Sequence, residues 1–387
     1  MSWHETNPVN ERLKFVASQQ TGRFTMTELC TRFGVSRKTG YKILARYDSD
    51  GVEGLRNQSR APIAHPNQTS AEVEGQILRV RKAHPTWGSK KILAVLLRTD
   101  PGGQFPARST IDAILKRAGV VVPRGVRRRR QPSSPPVVEA TGPNEVWSID
   151  YKGWFRVGDG TRCDPLTVND SFSRVSLVIQ AMVSPKLIDV KKRLEKAFRD
   201  YGVPKYLLSD NGPPFASTGL GKLSRLGVWL LKVGVMPVLI EPGRPDQNGR
   251  HERFHETLKA ETAKPPRPTI RAQAAAFESF QITYNEERPH EALDMKVPAE
   301  LYDFSPRSLP DTLEDHAYDS GLEVRRVRRD GSIKWAGEFV FVGEALAGEL
   351  VGLEPLEEGL SQMFLGPKRL GVLHERSKTV VPIGARN

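Results

Sequence analysis

Two apolar runs that each carry an aspartate constrain this chain more than any other feature. Glu145-Val-Trp-Ser-Ile-Asp-Tyr-Lys-Gly-Trp-Phe155 has the β-branched and aromatic content of a strand, with Asp150 in its midst. A carboxylate inside such a run must be satisfied or must bind something. Lys205-Tyr-Leu-Leu-Ser-Asp210 is a second apolar strand, ending in an acid and followed by Asn211-Gly212. An acid at the C-terminal end of a central strand sits where open α/β sheets place their ligands. Residues 166–169 and 175–183 supply two further strands, so the first three are expected to form an antiparallel meander. A long helix over residues 185–201 then leads to the strand bearing Asp210. Residues 144–303 therefore read as an α/β domain.

A third acid follows an irregular loop. Gly and Pro break up Glu241-Pro-Gly-Arg-Pro-Asp246, and from Asn248 the pattern turns helical, with Phe254 and Leu258 four apart on one face. Glu252 lies one turn after Asn248 and can point back towards Asp150 and Asp210. Three carboxylates converging on one spot repel each other unless cations are present, and oxygen-only ligands favour hard Mg²⁺ or Mn²⁺. Asp170, before Ser171-Phe-Ser-Arg174, reads as a turn cap. His251, His255 and His290 are expected on a helix surface or against DNA rather than on metal, and Arg250 and Lys259, beside the acidic helix, are placed to hold substrate phosphates.

At 387 residues the chain is too long for one core and should divide into roughly two to four domains. Its net charge of +13 favours a polyanionic partner, because counterion release from DNA or RNA drives association. No run of about 18 apolar residues is present to span a bilayer, and Met-Ser-Trp-His-Glu-Thr lacks the order of a signal peptide. Cys30 and Cys163 stand far apart and form no CxxC pair, which argues against a zinc site or a disulfide framework. The expected location is the cytoplasm, on the nucleoid when bound to DNA.

The segment 1–66 has helix-turn-helix character. Asn7-Pro8 opens a helix; Thr25 with Glu28 is a capping box for a second, which turns Leu29 and Phe33 inward and stops at Gly34. Ser36 caps a third over residues 37–47, with Tyr41 and Leu44 on its apolar side. A basic helix after a Gly-containing turn is the reading element of such motifs, so Arg37, Lys38 and Lys42 are expected to face DNA. Gly40 is out of place there, costing about 1 kcal/mol relative to Ala. Segment 67–122 repeats the theme: Thr69 and Glu72 open one helix, Ser89 another after the turn His84-Pro-Thr-Trp-Gly88, and Ser109 with Asp112 a third ending at Gly119. Two such units suit a bipartite grip on one extended DNA site, with a protein-interaction bundle as the competing reading for the second. Residues 123–143 form a basic linker, in which Arg127, Arg128, Arg129 and Arg130 lie among Gly and Pro and suit phosphates or a minor groove.

Together these motifs resemble a known family. Trp147-Ser-Ile-Asp150, Ser209-Asp210-Asn211-Gly212 and Asn248-Gly249-x-x-Glu252 with Leu258-Lys259 are similar to the catalytic core of retroviral integrases and bacterial insertion-sequence DDE transposases. Tyr284-Asn285-x-x-Arg288-Pro289-His290-x-x-Leu293 resembles the sequence closing that core, and His84-Pro-Thr-Trp-Gly88 the family's second N-terminal helical unit. The likeness spans most of residues 10–303. It implies an RNase H-like core, a five-stranded mixed sheet flanked by helices over 144–303. It implies two-metal phosphoryl transfer with two Mg²⁺ (or Mn²⁺) ions held by Asp150, Asp210 and Glu252 as catalytic and metal-binding residues. The interval from Asp210 to Glu252 is 41 residues, slightly longer than is usual in the family. The extra length is assigned to residues 217–226. Asp246 would shorten the interval to 35, but the flanks favour Glu252.

Residues 304–387 read as short strands. Asp330-Gly331 is a strong hairpin signal, and a small β-barrel is expected, with Arg325, Arg326, Arg328 and Arg329 facing DNA or a partner. The implied function is transposition: binding the element's terminal inverted repeats on double-stranded DNA, cleaving strands and joining them to target DNA, as a homo-oligomer of at least two chains. A non-catalytic DNA-binding regulator derived from a transposase is the alternative, against which the intact trio of acids argues, and a structure-selective nuclease a third.

Overall fold

A computed structural model describes residues 7–59, 68–121, 135, 137–357 and 359–382. The arginine linker, with Arg127, Arg128, Arg129 and Arg130, lies outside the described residues. The chain gathers into two compact units, residues 1–69 and residues 70–387.

The first unit holds α1 (Pro8–Gln20), α2 (Met26–Arg32) and α3 (Arg37–Asp50). Local chemistry sets its boundaries. Asn7 caps α1 through the Val9 amide, Thr25 and Glu28 form the full capping box of α2, and Ser36 caps α3 through the Thr39 amide. Phe15, Val16, Leu29, Cys30, Ile43 and Leu55 make the core. Tyr41 does not join it: it is 53 % exposed, and Ile43 and Gly40 are buried instead. Gly40 is required by contact, since a Cβ there would lie 2.8 Å from Cys30 Sγ and 3.0 Å from Phe15 Cζ.

The second unit opens with α4 (Ala71–Ala83), α5 (Ser89–Thr99) and α6 (Arg108–Arg117), packed around Ile77, Trp87, Ile92, Leu96, Ile111 and Ile114. Two expected caps are corrected. Ser70 rather than Thr69 caps α4, through the Val73 amide, and Ser109 lies within α6, which starts after Ala107 with no side-chain cap. These helices are docked on the central α/β region: Thr86 Oγ1 donates to Glu261 (2.6 Å), Lys91 Nζ to the Pro289 carbonyl (2.6 Å), and Lys90 pairs with Glu291 (2.5 Å).

The central sheet comprises β1 (Val146–Tyr151), β2 (Phe155–Arg156), β3 (Arg162–Asp170), β4 (Ser176–Met182), β5 (Tyr206–Ser209) and β6 (Met236–Leu239). Its order is β4-β3-β1-β5-β6, with the two-residue β2 added on β3. Strands β1, β3 and β4 pair antiparallel, while β1–β5 and β5–β6 are parallel. This mixed sheet is flanked by α7 (Leu187–Tyr201), α8 (Arg225–Val233), α9 (Gly249–Thr262) and α10 (Ile270–Ile282). Trp147, Ile149, Leu166, Val190, Leu194, Phe198 and Trp229 fill one core, and Cys163, Ile179, Phe254, Leu258, Phe277 and Tyr284 another. The segment after α10 closes the fold: Asn285 accepts from the Ser176 amide and donates to the Ser176 carbonyl, tying it to edge strand β4.

The C-terminal segment is not a closed barrel. Strands β7 (Glu323–Arg326), β10 (Leu350–Glu357), β11 (Leu360–Leu365), β12 (Lys368–His374) and β13 (Thr379–Pro382) form an open antiparallel sheet in the order β13-β12-β11-β10-β7, with β8 (Ser332–Trp335) and β9 (Glu338–Phe341) as a separate hairpin. The turn at Asp330-Gly331 does not join a paired hairpin. It carries the chain from β7, which pairs with β10, to β8. The hairpin turn falls at Ala336-Gly337, both at positive φ, the geometry whose twist matches paired strands. Arg325 and Arg328 lie over the rings of Trp335 and Phe339, and Arg326 pairs with Asp315.

Apart from Arg225 at its start and Lys232, helix α8 is apolar, and its apolar side chains are buried on two faces. Leu226, Trp229, Leu230 and Val233 belong to the central core. Val228 and Leu231, with Leu223 just before the helix, pack with Ile333, Val351, Leu353, Met363 and Leu370 of the C-terminal segment. The loop assigned the extra residues reaches the same place, for a Cβ on Gly221 would stand 3.1 Å from Leu370 Cδ2.

Candidate active site

The parallel pairing of β1 with β5 sets Trp147 beside Leu207 and Ser148 beside Leu208. Carried two residues on, this register puts Asp150 level with Asp210, where the strands run out. Burial, then the neighbouring charge of Asp210 and more weakly that of Glu252, push the Asp150 carboxyl up to about 7, against the Tyr151 amide and Lys152, which pull it down. The acids thus share one electrostatic field. Among the described residues no three His, Cys, Asp or Glu side chains are grouped closely enough to hold a metal ion. Asp150 Oδ2 instead accepts from Asn248 Nδ2 at 3.2 Å, and Asp210 Oδ1 accepts from the Gly212 amide at 3.1 Å. Asp246 is turned to Arg244 (3.2 Å).

His251 and His255, expected at a helix surface, lie buried between α9 and the sheet. Thr167 Oγ1 is within 2.6 Å of His251 Nε2, 2.7 Å of His255 Nε2 and 3.1 Å of the Asp150 carbonyl. The carbonyl can only accept, so Thr167 gives it the hydroxyl proton and accepts from both imidazoles. Both rings are therefore Nε2–H tautomers, and His251 Nδ1 accepts from Ser148 Oγ at 2.8 Å. Burial holds both histidines neutral, pushing His251 down to about 3 and His255, with help from His251 and Lys152, to about 2. His255 Nδ1 stands 4.0 Å from Asp150 Oδ2, within ion-pair range, but a neutral ring makes no ion pair there. The network locks α9, and with it Glu252, to the strands carrying Asp150. Period-3.6 reading had a signal for it, because positions 251, 254, 255 and 258 share one helical face.

The remaining expected residues sort clearly. Asp170 is a turn cap, accepting from the Ser173 amide and hydroxyl (2.7 Å each) and from the Asn144 amide (2.8 Å). Half-buried His290 packs edge-on against Tyr284, 4.8 Å between centroids. Arg250, at the start of α9, donates to the Ser171 carbonyl at 3.3 Å, and Lys259 is exposed two turns past Glu252. Arg37, Lys38 and Lys42 are exposed on α3, and Tyr41 lies on the same surface. No helix among the described residues is long and apolar enough to cross a membrane.

Comparison with known proteins agrees with this architecture. Integrase core domain profiles match residues 140–245 and 233–298, a helix-turn-helix domain profile matches 11–63, and a homeodomain-like domain profile matches 39–115. A 31.7 kDa protein of insertion element IS407 from Burkholderia multivorans is 30 % identical over 244 residues, 62 % of this chain and 83 % of that protein. A protein of insertion element IS476 from Xanthomonas euvesicatoria is 27 % identical over 249 residues, 62 % of this chain and 67 % of that protein. The HTLV-2 integrase catalytic core domain in complex with magnesium is 15 % identical, covering 43 % of this chain and 100 % of that one at a TM-score of 0.35, too loose a likeness to argue from. The integrase core and helix-turn-helix matches, together with the insertion-element relatives, mark a DNA-acting polynucleotidyl transferase. The chain belongs to the bacterial insertion-sequence transposases with an integrase-type core.

Proposed function

We propose that Asp150, Asp210 and Glu252 are the catalytic acids of this transposase, cleaving DNA at the element's terminal repeats and joining the freed 3′ end to target DNA. The observation that carries this reading is the register of β1 and β5, which sets two aspartates side by side at the strand ends, with Glu252 acting on the same field. The donor set fits hard divalent cations. It is all oxygen, and the mutual repulsion that lifts Asp150 is what a cation would relieve. Such a pair of ions, Mg²⁺ or Mn²⁺, would supply activation of the attacking oxygen and stabilisation of the leaving one. The protein's own part is positioning. Asn248 orients Asp150, the Thr167 network fixes the Glu252 helix, and Arg250 and Lys259 bind flanking phosphates. Upstream, Arg37, Lys38 and Lys42 of α3 contact element-end DNA, and the arginines at 127–130 add sequence-independent attraction.

Cleavage of end-containing DNA should require Mg²⁺ or Mn²⁺ and stop on chelation, while end binding persists. Turnover undiminished in excess chelator would overturn the metal-dependent reading. The active species should contain at least two chains on DNA, because two ends must be held together and a symmetric assembly supplies two sites. Mass measurement of the DNA complex checks this, and an active complex of one chain with one end would refute it.

A further inference from the structure

Two residues beyond Asp150 the chain leaves the sheet. Lys152 still donates its amide to the Pro165 carbonyl (2.9 Å), Gly153 turns at φ +83°, and Phe155 rejoins β3 opposite Cys163. Trp154, between them, is thrown outwards and 56 % exposed, an unusual place for the largest side chain. Facing it, α9 presents Lys259, seven residues and about 10 Å along the helix from Glu252. Between the two lies a cavity of about 250 Å³ walled by Trp154, Phe155, Leu258 and Phe277, with Lys152 and Lys259 as its charged members.

The chemistry of this cavity is that of a nucleotide. Aromatic walls offer π-faces on which any base stacks, and the ammonium groups of Lys152, Lys259 and nearby Lys264 attract a phosphate. Arg162, itself paired with Asp164, and Arg156 lie 5.1 and 5.9 Å from the Trp154 ring centre, and Arg156 extends the positive rim. The volume is below the roughly 300–1,000 Å³ of drug-sized pockets and suits one ring system, not a base pair. A duplex can supply one base only by unpairing it, which costs least where pairing is already lost. We propose that this cavity receives a single unpaired nucleobase of the DNA beside the scissile phosphate, with Trp154 as its stacking platform. The proposal rests on the assignment of Asp150, Asp210 and Glu252 as the reacting centre.

The test uses the full-length chain and 40-base-pair duplexes of arbitrary sequence, fully paired or with two unpaired terminal positions, carrying 5-iodouracil near one end. Irradiation should cross-link the unpaired base to Trp154 or Phe155, located by mass spectrometry, and the paired base should not react there. Trp154→Ala should weaken binding of the unpaired-end duplex about tenfold, to the level of the paired one, while Trp154→Phe retains most of it. The side chain is exposed, so these variants leave the core intact. Equal binding of the two duplexes by the parent, or cross-links confined to other residues, would overturn the proposal. Repeating the cross-linking in Asp150→Asn without metal separates the two ideas. Cross-links there support the pocket even if the acids prove not to be catalytic.

Discussion

Asp150→Asn should lower strand cleavage and strand transfer about a thousandfold or more, and yet melt at a higher temperature than the parent at pH 8. The first effect follows from removing a carboxylate worth several kcal/mol of charge stabilisation in phosphoryl transfer. Asp210→Asn and Glu252→Gln should lose activity similarly, and Asp246→Asn should not, all with end binding within about twofold of the parent. The second effect follows from linkage. The folded-state pKa of Asp150, about 7, lies above its ordinary 3.8, so the folded chain holds this proton more tightly than the unfolded chain. Stability is therefore lost as pH rises from about 4 through 7, by an amount on the order of a few kcal/mol. Asparagine keeps an acceptor for Asn248 without the charge. Its advantage in thermal unfolding should be full above pH 7 and vanish near pH 4. Normal turnover by Glu252→Gln, or loss in Asp246→Asn alone, would move the third acid.

Thr167→Val should unfold more easily by about 3 kcal/mol or more and lose over tenfold in cleavage rate, whereas Thr167→Ser should stay close to the parent. Valine has the shape of threonine but no oxygen, so the Nε2–H donors of His251 and His255 would be left buried without an acceptor. Each such orphan costs roughly 1–3 kcal/mol. The rate effect arises because α9, no longer held in register with the sheet, carries Glu252 with it. Denaturant titration and single-turnover cleavage, run on both variants, check the two effects. An unchanged Thr167→Val protein would mean that the helix is held by apolar packing alone.

Much of this was legible in the residues because local chemistry and global fold agree. Capping at Asn7, Thr25 and Ser36 set the first three helices, and the apolar runs carrying Asp150 within one and Asp210 at the end of the other announced a sheet with a ligand site. What was hidden depends on partners distant in sequence. Gly40 looked like a flaw in a reading helix until Cys30 and Phe15 were seen against it, and that close approach also explains why Tyr41 is turned out. Thr167 lies 84 and 88 residues from its two histidines, so nothing local distinguished them from surface histidines. Alternation found most of the C-terminal strands but not their pairing, because Asp330-Gly331 permits a hairpin without requiring one.

Helix α8 gives one face to the central core and the other to the C-terminal segment. Neither body can release it without exposing the apolar side it covers itself, so a local opening on either side raises the free energy of the whole. The two cores are in this sense a single cooperative folding unit spanning residues of very different sequence character. A boundary drawn near residue 304 runs between two cores that share helix α8. The C-terminal strands thereby back the helix whose other face packs with Leu207 of β5, three residues before Asp210.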